Sequence, residues 1–68
     1  MTAHLWARIV ARAQEAHYLR RWEAVMREQG DGTAAAGLSR KAARAEAMVL
    51  DLARAAGCEV ETIELEAA

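Results

Sequence analysis

The chain of 68 residues is 54% hydrophobic, but alanine supplies 18 of its apolar positions and only three residues, Trp6, Tyr18 and Trp22, are aromatic. That composition allows a single small domain, residues 1–68, with close helix packing and a thin core, and at this size oligomerisation is a common staple. The formal charge of −1 excludes a surface that is wholly a nucleic-acid or membrane footprint, although the average conceals a basic body and a tail carrying Glu59, Glu61, Glu64 and Glu66.

Residues 3–29 hold no Gly or Pro and are rich in Ala, Arg, Glu, Leu and Met. This predicts one long helix, with Thr2 as its N-cap and a length of roughly 40 Å. Gly30-Asp31-Gly32-Thr33 breaks it, and a loop is expected over residues 30–38. A second, shorter helix of roughly 27 Å is expected over 39–56, with Ser39 as N-cap and Gly57 as a left-handed stop. Its apolar side collects Leu38, Ala42, Ala45, Val49, Leu52, Ala53 and Ala56, an Ala-rich seam that suits close approach to the first helix in an antiparallel hairpin. After Gly57 the run Cys-Glu-Val-Glu-Thr-Ile-Glu-Leu-Glu reads as a short strand over 58–66, with Val60 on one parity and Ile63 and Leu65 on the other.

These lengths leave the first turns of the long helix projecting beyond the short one. Leu5, Trp6, Ile9 and Val10 lie there, more than about 100° around the helix from Tyr18, Leu19, Trp22, Val25 and Met26. One straight helix therefore carries two apolar faces. The expectation is that Trp22 sits beneath the second helix, while Leu5, Trp6, Ile9 and Val10 form an interface with another chain. A lone strand makes the same demand for a partner, so Val60, Ile63 and Leu65 are expected to pair across a twofold axis. The fold class expected is mainly α, a hairpin of a long and a shorter helix followed by a C-terminal β-strand that pairs across a homodimer.

Little in the sequence speaks for chemistry. His4 and His17 have no His, Cys, Asp or Glu three or four residues away, so no helical metal pair is formed. Cys58 stands next to Glu59 and past a helix C-terminus, where both the dipole and the neighbouring charge oppose thiolate formation. A single cysteine and the lack of a signal-like apolar start suit a cytoplasmic protein, and no apolar run approaches a membrane span. Alanine and arginine usage suits GC-rich coding, bacterial or phage. No catalytic, cofactor or metal site is expected.

Residues 36–40, Ala-Gly-Leu-Ser-Arg, resemble the turn and the start of the recognition helix in bacterial helix-turn-helix regulators. The resemblance covers five residues and implies DNA contacts by Ser39, Arg40, Lys41 and Arg44. The sequence departs from that pattern at Gly30-Asp31-Gly32, where the preceding helix should run. By exclusion the favoured function is a small non-enzymatic interaction or regulatory protein, self-associating as a homodimer and contacting an unidentified protein partner. A dimeric DNA-binding regulator is the alternative.

Overall fold

In the computed structural model, which describes residues 3–57, two helices of nearly equal length lie side by side: α1 (Ala3–Glu28) and α2 (Gly32–Ala56). They pack against each other as a mainly helical hairpin measuring 42 × 18 × 17 Å. The region expected to be a strand, including Val60, Ile63 and Leu65, lies outside the described residues.

The connection is much tighter than the nine-residue loop the sequence suggests. Gly30 adopts φ 78°, a conformation that favours a residue without Cβ. Its N–H donates to the Arg27 carbonyl at 3.1 Å, and the Asp31 N–H donates to the Met26 carbonyl at 2.9 Å. This pair of bonds is a Schellman ending, which satisfies carbonyls that the last turn of α1 leaves open. Asp31 then begins the next helix. Its carboxylate Oδ1 accepts from the Ala34 N–H at 3.0 Å, and its carbonyl accepts from the Ala35 N–H at the same distance. One aspartate thus ends α1 and caps α2.

The expected loop over 30–38 and the start of the second helix at Ser39 are therefore corrected: α2 begins at Gly32. Ala34, Ala35 and Ala36 favour helix strongly enough to carry the chain through Gly37, whose helical placement costs only about 1 kcal/mol relative to alanine. At the other end α2 stops at Ala56, where Gly57 takes φ 71° and its N–H reaches the Ala53 and Arg54 carbonyls.

The seam between the helices has heptad-like spacing. Ile9, Ala16 and Glu23 face inward from α1 at seven-residue intervals, and Ala35, Leu38, Ala42, Ala45, Val49 and Ala53 face inward from α2. Small alanines on the seam permit close approach of the two backbones, while repeats of three and four residues keep one side of each helix on its neighbour. The larger apolar side chains gather at the end remote from the turn. There Ile9, Val49 and Ala53 form the buried cluster, with Leu5, Trp6, Ala13, Leu52 and Ala56 packed around it.

Because α2 is as long as α1, no apolar segment of α1 projects past it in the way the sequence suggests. Ile9 is 0% exposed, and Leu5 and Trp6 are partly buried against the same cluster. Val10 is also only partly exposed. The expectation of Ile9 as a residue set aside for another chain is corrected: the seven additional residues at the start of α2 make the two helices match in length, and Ile9 is enclosed with Val49 and Ala53 within the hairpin.

Candidate interaction surface

Toward the turn, the inward side of α1 changes from apolar to charged, while α2 keeps Ala35, Leu38 and Ala42 buried. Arg20 lies on the α2-facing side of α1 and reaches across to Glu46, with Nη2 donating to Oε1 at 2.6 Å and Nε to Oε2 at 3.1 Å. Its remaining Nη1 donates to Glu23 Oε1 at 2.9 Å and to Ser39 Oγ at 3.1 Å. Glu23 is almost enclosed, and its second oxygen accepts from Arg27 Nη2 at 2.7 Å and Nε at 3.2 Å. The two-pronged guanidinium geometry suits carboxylate recognition and sets the rotation of α1 against α2.

Hydrogen bonds from Arg27 and then from Arg20 hold the Glu23 carboxyl below the usual carboxylate range, against the opposing effect of desolvation. The Arg20 guanidinium is raised above its ordinary value, chiefly by its bonds to Glu46 and then Glu23. Every buried polar side-chain atom among the described residues has a hydrogen-bond partner. The network is internally satisfied, so it acts as a clamp between the helices.

The consequence appears on the opposite side of α1. With Arg20 and Glu23 on the α2-facing side, Tyr18, Trp22 and Val25 turn outward, about 150° around the helix from the buried side. Tyr18 is 64% exposed, Trp22 46% and Val25 43%. The two rings meet edge to face, with centroids 6.0 Å apart and planes at 63°. Together with Arg21 these residues line a shallow open groove. The C-terminal half of α1 is therefore amphipathic in the inverse sense to its N-terminal half. The expectation of Trp22 beneath the second helix is corrected, because the charged network occupies that side of α1.

Two apolar faces on α1 are legible in the sequence, but their assignment is exchanged in the structure. The signal was present in the arrangement Arg20, Glu23, Arg27 with Ser39 and Glu46, which sequence reasoning passed over because ion pairs between helices leave no local spacing pattern.

Residues 36–44 run as uninterrupted helix, so there is no turn at Gly37 of the kind a helix-turn-helix element has. Ser39 is partly buried and accepts from Arg20. Arg40, Lys41 and Arg44 are exposed on α2. Among the described residues no cluster of three or more His, Cys, Asp or Glu is arranged to hold a metal ion, and no helix is long and apolar enough to cross a membrane. Comparison with known protein families, with curated proteins and with solved structures finds no match for this chain.

Proposed function

We propose that this chain is a small non-enzymatic interaction protein, acting in a regulatory or assembly role by presenting the outward face of α1 to a macromolecular partner. The observation that carries this reading is the inversion of α1, in which charged residues face the neighbouring helix and Tyr18, Trp22 and Val25 face solvent. An aromatic pair left exposed on the side of α1 away from the seam is the kind of apolar patch that marks a contact surface. Tyrosine, tryptophan and arginine are also the residue types that anchor interfaces, where they combine large apolar area with a polar tip. Internal pairing of Arg20, Glu23, Arg27 and Glu46 supports a non-catalytic role, because these charged groups are engaged with one another, Arg20 with Glu46 across the helices and Glu23 with Arg20 and Arg27 along α1.

The same reading includes self-association as a homodimer, either through this face of α1 or through pairing of the C-terminal segment, residues 58–66, as a strand across a twofold axis. Val60, Ile63 and Leu65 are large apolar residues in a chain that has few, which supports their use in contact.

The test is recovery of partners from the native host with the wild-type chain and with a Tyr18→Ala/Trp22→Ala variant of unchanged helicity. A defined protein, including the chain itself, recovered by the wild type and lost with the variant supports the reading. Equal recovery by both overturns it. So does recovery of nucleic acid that depends on Arg40, Lys41 and Arg44, since that result favours the DNA-binding alternative.

A further inference from the structure

The outward face of α1 is more specific than an apolar patch. Glu15, Tyr18, Trp22, Val25 and Gln29 recur at alternating intervals of three and four residues, the spacing of a helix seam made for another helix. On one flank of this seam stand Arg21 and Glu28, seven residues apart, both exposed and neither in an ion pair among the described residues. On the other flank stand Leu19 and Met26, also seven apart and both partly buried.

We infer that the occupant of this face is the α1 helix of a second copy, docked antiparallel about a twofold axis. This inference rests on the reading of the face as a docking surface and names its partner. In an antiparallel pair, each flank meets the same flank of the other helix, so a helix carrying a cation and an anion on one flank is complementary to itself. Setting Trp22 of one copy on Val25 of the other places Arg21 beside the second copy's Glu28, and Glu28 beside the second copy's Arg21. The same register sets Leu19 beside the second copy's Met26 on the opposite flank. The axial mismatch within each flanking pair is about 3 Å, within reach of these long side chains.

A parallel pairing lacks this economy. It sets Arg21 near the second copy's Met26, leaves Glu28 without a cation and turns Glu15 onto itself. The antiparallel register places the second copy's α1–α2 turn beside Glu15 and confines the contact to roughly residues 18–29, so the two hairpins overlap by about 18 Å at their turn ends. With each hairpin 42 Å long, the dimer is an elongated object of about 66 Å, half as long again as one copy. A contact of this extent lies at the small end of specific interfaces, so association belongs in the micromolar range or weaker.

The experiment combines sedimentation with small-angle scattering on the full chain, from micromolar to millimolar concentration. Wild type is expected to dimerise with a maximum dimension near the elongated value. Arg21→Glu alone and Glu28→Arg alone each set like charges opposite one another twice, and each is expected to weaken the dimer about tenfold. An equimolar mixture of the two variants restores both pairs and is expected to recover wild-type affinity to within about twofold. A mixture no tighter than its components overturns the register. A dimer no longer than one hairpin overturns the antiparallel end-to-end overlap. In either case loss of the dimer in Trp22→Ala leaves the docking face itself standing. A wild type monomeric up to millimolar concentration overturns self-recognition altogether, while loss of a foreign partner in the Tyr18→Ala/Trp22→Ala recovery still reports on the broader reading.

Discussion

Replacing Ile9 by alanine separates the packing in this hairpin from the one that chain lengths alone suggest. Ile9 is fully buried at the centre of the cluster with Val49 and Ala53. The substitution removes three buried carbons, a transfer loss of about 2.4 kcal/mol at roughly 0.8 kcal/mol per group. Neighbouring alanines have no spare length with which to fill the space, so a cavity contribution brings the expected cost to about 3–4 kcal/mol. A single core of this size supplies roughly 3–5 kcal/mol in all, so Ile9→Ala should be largely unfolded in urea concentrations that leave the wild type intact. Trp22→Ala is the control. Trp22 is half exposed and alanine is the better helix former, so its cost should be less than half that of Ile9→Ala when measured at low micromolar concentration, where association contributes little. Urea unfolding followed by far-ultraviolet circular dichroism gives both numbers. A wild-type midpoint in Ile9→Ala, or a larger loss in Trp22→Ala than in Ile9→Ala, would refute the assignment of the inward face.

At the turn, Asp31→Ala should cost about 1 kcal/mol in the same assay, since it leaves the Ala34 N–H without its side-chain acceptor. Gly37→Ala should stabilise by about 0.5–1 kcal/mol: the residue is helical, and an added Cβ meets only Arg40 Nη2, at an ordinary contact distance of 3.9 Å. A loss of stability there would mean that residues 32–38 are not helical in solution. Acid should weaken the hairpin through Glu23, whose carboxyl is held below its unfolded value. In the window from the ordinary carboxylate pKa of about 4.3 downward, the unfolded chain binds more protons than the native one, so stability rises with pH and is lost as pH falls through the native value. Melting temperatures across this range should show a shallower acid slope in Glu23→Gln than in the wild type, and an identical slope would remove Glu23 as the titrating group.

The charged clamp and the aromatic face are two sides of one arrangement. Arg20 cannot make its paired contact with Glu46 unless that side of α1 faces α2, and a straight helix then has to carry Tyr18, Trp22 and Val25 to the outside. An isolated exposed ion pair is worth little, but Arg20 joins Glu46, Glu23 and Ser39, and Glu23 extends the set to Arg27. Such a network is better suited to choosing one rotation of the helix than to adding stability. Hydrophobic burial alone would turn the aromatic pair inward, and the ion-pair network opposes it in fixing the rotation of α1.

Much of the hairpin was legible in local sequence. Two helices, the break at Gly30, the left-handed end at Gly57 and the seam of Leu38, Ala42, Ala45, Val49 and Ala53 all follow from propensity, capping and helical periodicity, which act over a few residues. The start of α2 did not follow, because Asp31 and Ser39 are both good caps and Gly37 looks like a break. That choice is made where the Schellman ending of α1 delivers the Asp31 carboxylate to the Ala34 N–H. The inward face of α1 was beyond local reading for a stronger reason. A helical wheel shows two apolar sides but carries no information about which one a neighbour covers. Here the decision rests on Arg20 meeting Glu46, 26 residues away in sequence, and on an α2 long enough to place Val49 and Ala53 over Ile9. Both contacts exist only once the helices lie side by side, so which face of α1 stays exposed was decided by tertiary packing.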